Sequence, residues 1–376
     1  MEKIYTALGL MSGTSMDGID ASILKSDGNR EYSIKLDKYF EYEDEVRQKL
    51  INIRAKTLAV DDLKVHSDEI KSLEREITLF HANVVNEILK TSKIKIDLLG
   101  FHGQTIFHDP KKKITKQLGD GNLLSKLTKK LVIYDFRQND LENGGQGAPL
   151  TPIYHKLLVE IFKEKGKIKL PIIILNIGGI ANITSINENY EILSMDIGPG
   201  NCLIDAWMRK NSNKKFDEDG KLASIGKINE VIFEQAQDLY SNRINKEKLS
   251  FDTSDFDISF ARGLSLEEGL ATLTDFTSSI ISKEISSSLL DYDVKIKNIL
   301  ICGGGRKNKT LIKKIKEKTS SNLNLIPIDN YKINGDFIES QAFAFLAIRS
   351  VLQLPISFPN TTGCIKPCSG GEYINN

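Results

Sequence analysis

Ala-Leu-Gly-Leu-Met-Ser-Gly-Thr-Ser-Met-Asp-Gly-Ile-Asp, residues 7–20, is an apolar run that breaks into glycines, hydroxyls and two carboxylates. A buried strand ending in a tight turn has this pattern. The turn offers backbone N–H groups between Gly13 and Gly18, hydroxyls from Ser12, Thr14 and Ser15, and acids at Asp17 and Asp20. Amide donors suit phosphate oxygens and hard oxygens suit magnesium, so the parts of a polyphosphate site are present. Standing alone, the segment reads equally well as an ordinary Gly/Ser hairpin turn. It has a counterpart. Pro171–Leu175 is a β-branched-rich strand that opens into Asn176-Ile-Gly-Gly-Ile-Ala-Asn182. Two strands running into glycine turns imply two similar α/β lobes facing each other across a nucleotide cleft.

The bulk properties narrow the class. At 376 residues the chain exceeds one ordinary core, so two domains are expected. Fifty-one basic residues against 50 acidic give a formal charge of +1, which leaves no broad field for nucleic acid or an anionic membrane. No apolar run is long enough to span a bilayer, and no signal-peptide pattern opens the chain, so a cytoplasmic setting is expected. The four cysteines (Cys202, Cys302, Cys364 and Cys368) are too scattered for a disulfide framework. Cys364 and Cys368 lack a second Cys or His pair, so no metal site is expected there.

Apolar spacing predicts helices within 41–56 and 63–89, and strands at Ile96–Gly100 and Leu131–Tyr134. Gly144-Gly-Gln-Gly-Ala-Pro149 reads as a mobile connection or hinge. A hairpin partner at Tyr190–Met195 leads into Asp196-Ile-Gly-Pro-Gly-Asn201, and Ile296–Cys302 runs into Gly303-Gly304-Gly305. That last turn lacks the Gly-x-Gly-x-x-Gly spacing, which argues against a dinucleotide fingerprint. The last clear helix is Glu339–Leu352.

Taken together, Leu8–Ala21, Gly100–Pro110, Asp135–Arg137 with Gly144–Pro149, Leu175–Thr184, Met195–Trp207, Cys302–Asn308 and Glu339–Ala347 resemble the anhydro-N-acetylmuramic acid kinases. That family belongs to the sugar kinase/actin/Hsp70 ATPase superfamily. The resemblance implies a two-lobed actin-like (ribonuclease H-like) α/β fold with a central nucleotide and sugar cleft. The first lobe is expected over 1–130, possibly with 340–376 packed back on it, and the second over 131–339. ATP and Mg2+ are the implied cofactors, a homodimer the implied assembly, and 1,6-anhydro-N-acetylmuramic acid the implied substrate, opened and phosphorylated on O6 in peptidoglycan recycling.

Residue roles follow from the same resemblance. Gly13, Thr14, Ser15, Met16, Asp17, Gly18, Ile19 and Asp20 form a first phosphate turn, with Asp17 near magnesium. Asn176, Gly178, Gly179 and Asn182 form a second, and Gly303, Gly304 and Gly305 receive the adenosine. Asp196 is the expected general base. Glu339 is either an acid favoured by the helix dipole or a sugar or water contact. Gln104 is expected to contact substrate, His102 to be a structural hydrogen-bonder, and Trp207 to pack in a core or between lobes. Arg137 pairs either internally with Asp135 or with the lactyl carboxylate. One stretch departs from the family: Phe251-Asp-Thr-Ser-Asp-Phe256 stands where relatives carry Lys-Ser-Thr-Gly-Arg-Glu, which puts sugar specificity or cleft closure in question. A nucleotide-gated binding module and a phosphatase on the same fold are the competing readings; the Asp196 motif and Glu339 favour the kinase.

Overall fold

The computed structural model describes residues 3–243, 251, 253–290, 297–319 and 323–375. Its strands, in chain order, are β1 (Tyr5–Ser12), β2 (Gly18–Ser26), β3 (Tyr32–Glu41), β4 (Leu98–Asp109), β5 (Ile114–Leu118), β6 (Leu131–Tyr134), β7 (Ile172–Ile177), β8 (Ile180–Ile186), β9 (Ile192–Pro199), β10 (Asn298–Cys302), β11 (Asn324–Pro327) and β12 (Glu372–Ile374). The chain divides into two compact units, Met1–Ile161 with Phe337–Asn376, and Phe162–Asp336.

The first unit holds a seven-stranded sheet in the order β12-β6-β4-β1-β2-β3, with β5 added to β4. β1, β2 and β3 are antiparallel neighbours, whereas β4 and β6 run parallel to β1. The second unit repeats the scheme over five strands, β11-β10-β7-β8-β9. There β7, β8 and β9 are antiparallel and β10 and β11 parallel. With β5 and β12 left out of the first sheet, both sheets read 3-2-1-4-5 when their strands are numbered within each unit, the ribonuclease H-like order. The central strands are apolar because both faces are covered; all six residues of β7 are buried.

Three sequence expectations change. The expected boundary near 130 moves to Ile161, because β6 is a parallel neighbour of β4 and cannot leave that sheet. The Gly144–Pro149 stretch is no hinge: the amides of Gly145, Gln146 and Gly147 donate to Asp140 O, Thr362 O and Asp140 Oδ2 within the first unit. The strand expected to end at Gly100 continues to Asp109, since its partners switch from β1 and β6 to β5.

The C-terminal segment returns to the first unit through the helix Ile338–Val351, which is buried along almost its whole length. It lies so close to the sheet that a Cβ on Gly9 would sit 2.0 Å from Ser340 O and one on Gly100 2.3 Å from Phe343 O. Gly100→Ala is therefore expected to cost ~2–3 kcal/mol through overpacking against backbone, read as a lower midpoint in denaturant unfolding.

Three histidines of this unit, His81, His102 and His155, are buried. Burial depresses their pKa values, to about 4 for His81, about 3 for His155, and well below the ordinary value for His102. Above about pH 6.5 native and unfolded histidines are both neutral. Below it the unfolded chain takes up protons that the native core refuses, so stability falls with pH down to the depressed values. The slope is about 1.4 kcal/mol per pH unit for each histidine. Unfolding midpoints measured from pH 7 to pH 4 should fall, and His155→Phe should flatten the curve.

Candidate active site

In the first unit the turn Gly13–Asp17 joins β1 to β2. The Met16 N–H donates to Gly13 O, and Met16 itself adopts a left-handed φ of 55° with its side chain buried. This buries the apolar member of the turn and leaves Thr14 and Ser15 exposed. The Ser15 hydroxyl donates to Asp17 Oδ1 at 2.5 Å, and the Tyr39 hydroxyl donates to Asp17 O. A Cβ on Gly18 would lie 2.3 Å from Phe40 O, so glycine is required where the chain enters β2. Beneath the turn, the Ser12 hydroxyl donates to Gln104 Oε1 at 2.7 Å while Gln104 Nε2 donates to Gly13 O at 3.0 Å. Gln104 is fully buried, so the expected substrate contact is instead the brace of the turn. Its strand explains why: Gln104 lies within β4, in register with Ser12, and not past a strand end.

His102 and Arg137 form a second arrangement. His102 Nδ1 bonds to Gly103 O at 2.8 Å, which leaves Nε2 as an acceptor for Arg137 Nε at 3.1 Å and Nη2 at 2.9 Å. Arg137 Nη1 donates to Gly147 O at 2.7 Å. Burial and the adjacent guanidinium keep the imidazole neutral. Asp135, at a left-handed φ of 52°, has its carboxyl pushed up by burial and by Glu372. Glu339 lies half-buried in the first turn of the helix Ile338–Val351.

The second unit aligns its polar residues across the sheet. Asn176 on β7 is in register with Asn182 on β8, and Asn182 with Asp196 on β9. Residues directly opposite in an antiparallel ladder share a face, so these three side chains form a row. The register slips by one residue between Ala181 and Asn182, a bulge at Ile197 that turns Asp196 toward Asn182. Asp196 thus sits within a strand and not in the turn that follows. Its Oδ2 accepts the Phe251 N–H at 2.8 Å. The divergent 251–256 stretch therefore touches this carboxylate through its backbone; Asp252 lies outside the described residues. Asn182 Oδ1 is closed off from solvent and has no hydrogen-bond partner among the described residues.

Backbone contacts shape the glycine turn between β7 and β8. Gly200 N–H and Cys202 N–H donate to Gly179 O, and Asn201 N–H donates to Gly178 O. A Cβ on Gly200 would lie 2.3 Å from Gly178 O. The carbonyls are thereby tied inward, which removes two negative dipoles from the path of an anion. Behind β7, a Cβ on Gly303 would lie 2.5 Å from Asn176 Oδ1 and one on Gly305 2.2 Å from Ile177 Cγ2, whereas one on Gly304 would meet nothing within 4 Å. Arg306 braces this turn: Nη1 donates to Gly303 O, and its fork binds Asp329 at 2.6 and 2.8 Å and Asp336 at 2.5 Å. Its guanidinium holds the Asp329 carboxyl below the usual range. The sequence reading missed Arg306, although its place directly after three glycines was a signal. Trp207 belongs to the second unit's own core, with Nε1 donating to Leu266 O.

The donor sets suit the groups expected of them. Asp17, Ser15 and Thr14 offer hard oxygens for magnesium, and Asn182 Oδ1 is a buried acceptor left without a partner among the described residues. Replacing Gly304 by Leu should leave the unfolding midpoint unchanged while weakening binding of a non-hydrolysable ATP analogue at least tenfold by calorimetry.

A family model described as anhydro-N-acetylmuramic acid kinase matches residues 5–375. A curated protein of that name from Pelagibacter ubique is 53% identical over 378 residues, covering 100% of both chains. Another from Brucella canis is 36% identical, again over 100% of both. Among solved structures, component A of Acidaminococcus fermentans (R)-2-hydroxyglutaryl-CoA dehydratase aligns with 92% of this chain and 99% of its own, at 10% identity and a TM-score of 0.42. That likeness is loose, and the fold assignment rests on the strand order.

Proposed function

The chain belongs to the anhydro-N-acetylmuramic acid kinase family, and from that premise we propose a role for each residue of the site. The enzyme phosphorylates 1,6-anhydro-N-acetylmuramic acid, a step of cell-wall recycling. This sugar has no free 6-hydroxyl, because O6 is bonded to C1. Water adds to C1 as the C1–O6 bond breaks, and the freed O6 takes the γ-phosphoryl group of ATP. Asp196 accepts the proton that the water loses and later releases it to solvent. O6 is received by phosphorus, so no separate acid has to protonate it. The products are N-acetylmuramic acid 6-phosphate and ADP.

The observation that carries this reading is the Asn176–Asn182–Asp196 row with the Phe251 N–H on Asp196 Oδ2. One carboxylate oxygen is fixed by the amide, which orients the other toward the water. Gly13–Asp20 and Asn176–Asn182 bind the phosphates through backbone donors, and Gly303–Gly305 binds the adenosine. Asp17 would hold magnesium, which would supply charge neutralisation to the transferring phosphoryl group. Arg137, aimed by neutral His102 and by Gly147 O, is the cation for the lactyl carboxylate. Glu339 contacts the sugar or its water. Among the described residues no helix is long and apolar enough to cross a membrane; a homodimer in the cytoplasm belongs to the same proposal.

Mass spectrometry of a mixture of protein, Mg-ATP and the anhydro-sugar should show the 6-phosphate. Asp196→Asn should abolish it while ATP still binds. Phe251→Pro, which deletes the amide, should lower kcat by roughly 10- to 100-fold with little change in ATP affinity. Turnover retained by Asp196→Asn would remove it as the base, and ATP hydrolysis independent of sugar would point to the nucleotide-gated alternative.

A further inference from the structure

Far along the chain from its partner pair, Asp140 comes to lie against Cys364 and Cys368. One ligating atom from each of the three lies within 4.8 Å of the others. Asp140 and Cys364 are each 1% exposed. The Asp140 oxygens accept from neutral donors, Gly147 N–H and the Thr362 hydroxyl, both at 2.6 Å. The Cys364 thiol is a third hydrogen-bond neighbour of the same carboxylate.

A second observation is independent of those three residues. Ser357 is fully buried, and its hydroxyl is turned to the Cys368 side chain as its hydrogen-bond neighbour. It lies beside the Cys368 sulfur, where it would donate to a thiolate. Backbone bonds fix the pair: Cys368 N–H donates to Ser357 O, and Ser357 N–H to Cys368 O. Donors that orient and charge-balance sulfur ligands are what a metal site needs around it.

The geometry points to a zinc site made by Asp140, Cys364 and Cys368, which ties the C-terminal segment to the Gly144–Gly147 turn. Two sulfurs and one carboxylate form a borderline-soft set that selects zinc over magnesium or calcium. A tetrahedral zinc with bonds of about 2.3 Å to sulfur separates its ligand atoms by ~3.8 Å, and the three atoms here lie within 4.8 Å of one another. Water takes the fourth position. In the sequence, Cys364 and Cys368 lack a third ligand; folding supplies it from the helical turn Gln138–Glu142.

The purified chain, loaded with zinc and dialysed against metal-free buffer, should retain one zinc per molecule by elemental mass spectrometry. Loaded with cobalt, it should show a near-ultraviolet thiolate-to-metal band. Both should vanish in the C364S/C368S chain and persist in C202S/C302S, and Asp140→Asn should weaken zinc binding tenfold or more. The cobalt band is read on the unaltered chain, so it does not depend on whether a variant folds. No retained zinc, a band that survives C364S/C368S, or a Cys364–Cys368 disulfide in protein purified without reductant would each overturn the assignment.

Discussion

Two missing β-carbons hold the first unit together. At Gly9 and Gly100 the helix Ile338–Val351 rests on the backbone of β1 and β4, with Ser340 O and Phe343 O where side chains would otherwise stand. That approach lets the Ser340 hydroxyl bond with Ser22 at 2.7 Å and Gln341 Nε2 donate to Asp37 at 3.0 and 3.1 Å. It also fixes where the rest of the C-terminal segment goes. β12 reaches β6, and Cys364 and Cys368 reach Asp140. Glu339 stands in the first turn of the same helix, so its placement is inherited from the glycines as well.

The second unit uses the same strand order and a different means of support. Its glycines at 178, 200, 303 and 305 serve turns, and each turn is pinned by a neighbour: Gly178 and Gly179 by the amides of Gly200, Asn201 and Cys202, and Gly303 by Arg306 and Gly335. The Arg306 guanidinium is buried but its carboxylate partners are open to solvent, and such half-exposed pairs add little net stability. The Arg306 fork between Asp329 and Asp336 is therefore best understood as fixing the shape of the Gly303–Gly305 turn.

Most of the architecture was legible in the sequence because apolar strands running into glycines are local signals. The β7–β8 turn, the Gly303 turn and the last helix each lie where the residue pattern puts them. What could not be read has a common cause. β4 continues past Gly100 because its hydrogen bonds find a new partner in β5, and no periodicity records a change of partner. Gln104 carries a side chain typical of ligand contacts, yet its register with Ser12 turns it inward. Asp196 faces Asn182 because of a one-residue bulge at Ile197, and Phe251 reaches it through a backbone amide that is independent of side-chain identity. For that reason the divergent 251–256 stretch can differ in residue type while keeping its bond to the carboxylate.

The neutral His102 has a consequence for how Arg137 is held. A histidine that shared a proton with its surroundings would make the orientation of the guanidinium follow the acidity of the medium. Held in one tautomer by Gly103 O and shielded by Phe343, with ring centroids 4.5 Å apart, it behaves instead as an uncharged bearing. The guanidinium beside it is then held in one direction as the surrounding acidity drifts.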